Sequence, residues 1–264
     1  MTGAPSRLVL FDLDGTLVKL GSVLQRMHMD AMAAALAKAV GSLVPFEYRS
    51  NELFYRGVNL AGFTDAGTIR AALVLAGATE EEAAERIPDI VVDMVARLER
   101  AVPSEDWHGP ADLLPGARAV LESIRGAGFT LGMSTGNARL VAMWKMRSAG
   151  LADLLYDGGF GDRAIEREDV ARAGAAKLTP AGATPVGVLV GDTVRDITAA
   201  RAAGLNCLAV TTGVATAGEL RAAGADEVLP GIADGQAVSS LMRLARQSPR
   251  RRLVAHVSRA NEES

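Results

Sequence analysis

The sequence holds one cysteine, Cys207, in 264 residues. That excludes an intramolecular disulfide and fits a reducing compartment. A catalytic thiol would want a matching base nearby, so Cys207 reads as a small buried residue of a strand. No run reaches the roughly 18 consecutive apolar residues of a membrane-spanning helix. No secretory leader is expected either, because strand residues begin by Leu8 and acids interrupt at Asp12. Positive charge is not in excess: 28 Lys and Arg stand against 31 Asp and Glu, a net charge of -3. No broad attraction to nucleic acid follows from that balance. Internal repeats are absent. The expectation is a cytoplasmic protein with neither a nucleic-acid nor a membrane partner.

What is present suffices for a real core, with 49% hydrophobic and 22% charged residues. A chain of this length holds one large domain or two modest ones. Its organising stretch is Leu8 to Leu17, Leu-Val-Leu-Phe-Asp-Leu-Asp-Gly-Thr-Leu. The short apolar run Leu8 to Phe11 reads as a strand buried on both faces, the habit of parallel sheets. Asp12 and Asp14, at i and i+2, project together from its C-terminal end. Gly15 permits a sharp turn, and Thr16 offers a hydroxyl. Two adjacent carboxylates repel each other, so the pair makes sense with a divalent cation between them or a proton on one. Solvated acids capping the next helix are the plainer alternative.

Residues 18 to about 111 read as helical throughout. A helix is expected over Val23 to Val40, and Glu52 to Leu60 is a short mixed stretch. Thr64 caps a helix to about Leu75 that Gly77 ends. Thr79 and Glu82 fit a capping box, Pro88 interrupts, and a helix resumes from Ile90 to Ala101. From Leu113 strands and helices alternate. Strands are expected over Phe129 to Ser134, Leu154 to Asp157, Val186 to Val190, Asn206 to Val210 and Glu227 to Leu229, with Gly158 to Gly161 a flexible loop. Helices are expected over Ala117 to Arg125, from Asn137 to about Ala149, and over Glu168 to Lys177, Asp196 to Ala203 and Ala217 to Ala223. Alternation of this kind predicts an α/β fold, a Rossmann-like parallel sheet with helices on both faces. The first strand finds partners only after residue 112. The expected organisation is therefore a discontinuous core, 1–17 with 112–246, interrupted by an inserted α-helical block, 18–111. A polar tail, 247–264, follows, with a basic cluster at Arg250, Arg251 and Arg252.

Open parallel sheets bind ligands beyond the carboxyl ends of their strands. Met133-Ser134-Thr135-Gly136-Asn137 puts hydroxyls at one such end, before a turn suited to a phosphate oxygen or to a plain N-cap. Val190-Gly191-Asp192 with Asp196 puts two acids four apart at a helix start. Thr64 and Asp65, after Gly62-Phe63, form a turn into a helix within the helical block.

These runs, led by Asp12-Leu13-Asp14-Gly15-Thr16-Leu17, resemble the motifs of the haloacid dehalogenase superfamily, in particular its phosphoglycolate phosphatase-like members with a helical cap. The resemblance implies that Asp12 is the nucleophile and Asp14 the general acid and base. It implies that Thr135, Gly136 and Asn137 bind the phosphate, Gly136 and Asn137 through backbone donors. Magnesium would be held by Asp12, the backbone carbonyl of Asp14, and Asp192, with Asp196 a ligand through water or an orienting group. The family's third motif is usually a Lys, often before Pro, and no Lys-Pro occurs here. Arg167 is chosen for that role, with Lys145 in reserve because its helix leads away from the site. Thr64 and Asp65 resemble a substrate-facing cap loop, but Phe63 stands where an Arg or Lys often precedes the Thr. The implied activity is magnesium-dependent hydrolysis of a small phosphorylated metabolite through an aspartyl-phosphate. The alternatives are a phosphomutase of the beta-phosphoglucomutase type, which needs a bisphosphate activator, and a non-catalytic phospholigand-binding protein.

Overall fold

The computed structural model of the chain describes residues 7–41, 47–49, 52–59, 63–101 and 112–249. Gly62 and the basic cluster at Arg250 to Arg252 lie outside these residues. The first half runs β1 (Arg7–Phe11), α1 (Val23–Val40), β2 (Glu47–Arg49), β3 (Glu52–Tyr55), β4 (Val58–Asn59), α2 (Asp65–Leu75) and α3 (Glu80–Ala101). The second runs α4 (Ala117–Gly126), β5 (Thr130–Thr135), α5 (Arg139–Ser148), β6 (Gly158–Phe160), α6 (Arg167–Leu178), β7 (Val186–Gly191), α7 (Val194–Ala202), β8 (Asn206–Val210), α8 (Ala217–Ala222), β9 (Glu227–Leu229) and α9 (Ala237–Leu244).

β1 lies near the middle of a parallel six-stranded sheet of order β6-β5-β1-β7-β8-β9. Its apolar run is continuous because both faces are covered. Val9 and Phe11 pack into one cluster with Met133, Val188 and Val190. Leu8 and Leu10 pack into the other with Leu189, Ala171 and Ile197. Each of the buried Val, Leu, Ile, Phe and Met side chains among them is worth roughly 1.5–3 kcal/mol. Cys207 sits in the second cluster, where burial pushes its thiol well up. It is an inert filler.

The stretch after β1 returns to the sheet beside its point of departure. Leu114 N–H donates to Leu17 O, and Lys19 N–H donates to Asp112 O. α1 is capped by Ser22 and ended by Gly41. α2 is capped by Thr64, and the Thr79–Glu82 box precedes α3.

Four expectations need correction. The stretch 47–59 is a small antiparallel sheet, β2-β3-β4, and is not helical. Positive φ at both Arg56 (47°) and Gly57 (80°) makes the tight hairpin turn that an Arg-Gly pair does not advertise. Second, α3 continues through Pro88, with Ala83, Ile87, Ile90, Val91 and Met94 buried on one stripe to hold it. Third, the strand next to β5 is Gly158–Phe160, and Leu154 and Leu155 form a turn on Leu151 O. Gly159 belongs in the strand because a Cβ there would run into the Val170 carbonyl of α6. Fourth, α9 packs beside α4 on one face of the sheet, where no helix is foreseen.

Candidate active site

Asp12, Asp192 and Asp196 converge at the C-terminal ends of β1 and β7. All three are buried, and their carboxylate oxygens lie within 4.8 Å of one another. Gly15 makes this approach possible: its φ is +85°, and a Cβ there would collide with the Asp192 carboxylate. Thr16 Oγ1 donates to Asp192 Oδ1 at 3.3 Å. Burial, then mutual repulsion, pushes Asp192 well above the usual carboxylate range. Burial likewise raises Asp12, to about 7, although Arg167 opposes it. Three buried carboxylates on hard oxygen atoms, two reluctant to ionise together, suit a small divalent cation. Asp196 is the most occupied of them. Its Oδ2 accepts from Thr193 N (3.0 Å) and Thr193 Oγ1 (2.7 Å), and its Oδ1 accepts from Arg167.

Two cations serve the acids, and each has its own partner. Arg167, the first residue of α6, pairs with Asp12 at 2.9 Å and also with Asp196. Burial works against its charge, yet these two carboxylates hold its proton more firmly than usual. Lys145 corrects the expectation that its helix leads away. Its Nζ lies 2.8 and 2.6 Å from Asp14 Oδ1 and Oδ2, and its side chain is 0% exposed. Burial raises the Asp14 carboxyl, but Lys145, an Asn137 hydrogen bond and His28 hold it below its ordinary value.

The turn after β5 is built on Thr135. Its Oγ1 accepts from Asn137 N (3.2 Å) and Asn137 Nδ2 (2.9 Å), leaving its own proton to donate. The Asn137 backbone N–H, expected as a phosphate donor, is directed here at the Thr135 hydroxyl. Asn137 Nδ2 also donates to Asp14 Oδ2 at 2.9 Å. Gly136 O accepts from Asp65 N at 2.7 Å. The segment Phe63 to Asp65 thus lies directly on this turn. Thr64 Oγ1 caps Gly67 N and donates to Ala164 O at 2.6 Å. Asp65 Oδ2 accepts from Ala138 N at 2.7 Å. Arg195 lies 4.6 Å over the Phe63 ring.

One residue of the site went unforeseen. His28 of α1 is 4% exposed, and its Nε2 lies 3.2 Å from Asp65 Oδ2. The available signal was its place on the apolar stripe of α1, between Leu24 and Met32.

Comparison with known proteins follows the same lines. Residues 6–204 match the sequence model of a family described as haloacid dehalogenase-like hydrolase. The chain is 29% identical over 252 residues to a plasmid phosphoglycolate phosphatase of Cupriavidus necator, covering 93% of this chain and 96% of that one. Among solved structures, it resembles a predicted phosphatase from Clostridium acetobutylicum (TM-score 0.61, 20% identity, covering 91% and 100% of the two chains). It also resembles beta-phosphoglucomutase from Clostridium difficile (TM-score 0.62, 15% identity, covering 91% and 97%). The two structures share its fold.

Proposed function

The chain belongs to the haloacid dehalogenase-like hydrolases, and from that we propose that it is a phosphatase acting on a small phosphomonoester, by way of an aspartyl-phosphate on Asp12. The observation that carries this reading is the division of labour between the two aspartates two residues apart. Asp12 sits among metal-suited carboxylates with Arg167, while Asp14 is held apart by Lys145 and Asn137.

In the first step an Asp12 oxygen attacks phosphorus, the bond to the ester oxygen breaks, and Asp14 gives that oxygen a proton. In the second, Asp14 takes a proton from water, the water oxygen bonds to phosphorus, and the Asp12–phosphorus bond breaks. The resting geometry favours the second step, because Lys145 and Asn137 both stabilise ionised Asp14. An incoming phosphate dianion competes for Lys145 and so lets Asp14 take up the proton that the first step requires. Thr135 donates to the phosphoryl group, and Arg167, beside Asp12, offers it charge-assisted hydrogen bonds. Asp12 and Asp192 would hold a magnesium ion with the Asp14 main-chain carbonyl, Asp196 orienting them; when bound it supplies the positive charge that lets both acids ionise and offsets charge on the phosphoryl oxygens. The helical block, 18–111, acts as a cap that excludes bulk water. The single buried cysteine suits a cytoplasmic setting.

Phosphate release from small phosphomonoesters, with and without magnesium, tests this against Asp12→Asn. Metal-dependent turnover that the variant loses is expected. No turnover on any ester, with or without a sugar bisphosphate, overturns it.

A further inference from the structure

Two buried polar atoms near the site lack a hydrogen bond of good geometry: Asn137 Oδ1, and His28 Nε2, which stands 3.2 Å from Asp65 Oδ2. Buried polar groups are nearly always paired, so each such atom in a folded chain asks for an explanation. His28 is 4% exposed and Asn137 7% exposed, so bulk water does not supply the partner. They come from different parts of the chain, α1 and the turn after β5. Asn137 Nδ2 donates to Asp14, and Asp65, which accepts from Ala138 N, ties His28 to the turn that carries Asn137. His28 Nε2 lies 3.2 Å from Asp65 Oδ2, and that carboxylate is 6% exposed. Asn137 therefore borders the residue that handles the proton of the departing oxygen, and His28 with Asp65 lies on the neighbouring turn.

The charges around them are one-sided. Lys145 and Arg167 are the buried cations among the described residues, and both are committed. Lys145 spans both oxygens of Asp14, and Arg167 joins Asp12 to Asp196. The block that covers the site adds His28 and the acidic Asp65. Arg195 reaches the seam, but it is exposed and lies on the Phe63 ring.

We propose that His28, Asp65 and Asn137 form the subsite that reads the leaving group, and that they select an uncharged, hydroxyl-bearing alcohol over one carrying a carboxylate. A hydroxyl satisfies the orphan atoms because it both donates and accepts. A carboxylate has no proton for Asn137 Oδ1 and sets a further negative charge beside Asp65 and Asp14, which like-charge repulsion opposes. The inference rests on the phosphatase reading, and it separates this chain from the substrate in the name of its Cupriavidus necator relative.

Matched esters decide it. Glycerol 3-phosphate and 3-phosphoglycerate differ only by a hydroxymethyl in place of a carboxylate, as do 2-hydroxyethyl phosphate and 2-phosphoglycolate. In the wild-type enzyme with magnesium, kcat/KM is expected to favour the hydroxymethyl member of each pair at least tenfold. Asp65→Asn keeps the side-chain shape and removes the charge. It is expected to shrink that ratio at least fivefold, by gain on the carboxylate member. His28→Asn is expected to shrink it by loss on the hydroxymethyl member. A wild-type ratio of one or below overturns the proposal, as does a ratio unchanged in both variants. If a variant fails to fold, the wild-type ratio decides alone. If no ester is turned over, the phosphatase reading falls. The selectivity is then read by calorimetric titration of Asp12→Asn with the same four esters, where equal binding within pairs overturns it.

Discussion

Lys145 Nζ reaches both carboxylate oxygens of Asp14, at 2.8 and 2.6 Å, across 131 positions of sequence. A fully buried ammonium is stable only against such a partner. The pair ties the interior of α5 to the turn after β1, and it sets the protonation of Asp14.

Replacing the cation while keeping the volume isolates that effect. Lys145→Met removes the charge that holds Asp14 low, so Asp14 is protonated at higher pH. Under the proposed mechanism, breakdown of an aspartyl-phosphate by Asp14 in its base form should slow by on the order of 10² near neutral pH. Its acid limb should move to higher pH. Rapid-quench kinetics across the pH range measure both, and an unmoved limb contradicts the role given to Lys145.

Arg167→Met leaves Asp12, Asp192 and Asp196 without their buried cation. The loss of stability at pH 7.5 should be about 3–5 kcal/mol. It should be smaller near pH 5, where the raised carboxyls at Asp12 and Asp192 carry protons. Urea unfolding at the two pH values tests the difference.

The metal-free protein should lose stability as pH rises between about 4 and about 7. Asp12 titrates near 3.8 when unfolded and near 7 when folded. Within that window the folded state keeps a proton that the unfolded chain has released, so raising the pH favours unfolding. Asp192 acts in the same direction. Asp14 acts oppositely: its stabilisation is present above its ordinary value and is lost only in acid. Thermal melts in EDTA should show Tm falling from pH 5 to 7.5. Added magnesium should raise Tm most at the upper end, through binding to the ionised acids.

Gly161→Ala should uncouple the helical block from the site. A Cβ at this position would overlap the Gly136 carbonyl and press on Thr64 at 2.9 Å. It would also displace the carbonyl that receives Ala66 N–H. kcat/KM should fall by on the order of 10², since a shift of about 1 Å is enough for such a loss. The sheet should survive, because the substitution lies beyond the end of β6. Circular dichroism beside kinetics separates the two effects.

Much of the sheet is legible because its strands obey one simple rule. Leu8 to Phe11, Val186 to Val190 and Cys207 to Val210 are runs without polar side chains, and each lies in a strand covered on both faces. Asp12, Asp14, Asp192 and Asp196 are legible from where those runs stop. β6 is hidden because its fitness lies in missing side chains, which composition reads as looseness. Lys145 and His28 are hidden for a shared reason. Each stands on the buried stripe of its helix, with Val141 and Ala142 in one case and Leu24 and Met32 in the other. A polar residue there is tolerated only by a partner far along the chain, and helical periodicity carries no record of that partner. The hairpin at Arg56-Gly57 is hidden because its turn lacks the usual Asn or Asp.

The central strand also sets an order on the birth of the enzyme. β1 is made before both of its neighbours, so Leu8 must wait for Thr130 and Gly187 to flank it. The entropy of closing loops that long grows only slowly with length, so the delay is tolerable, but it cannot be avoided. Until then the nascent chain carries Asp12 and Asp14 on a strand with no neighbours. No fragment ending before β7 can bring Asp12 beside Asp192 and Asp196, so the acidic cluster exists only once the later strands enclose β1.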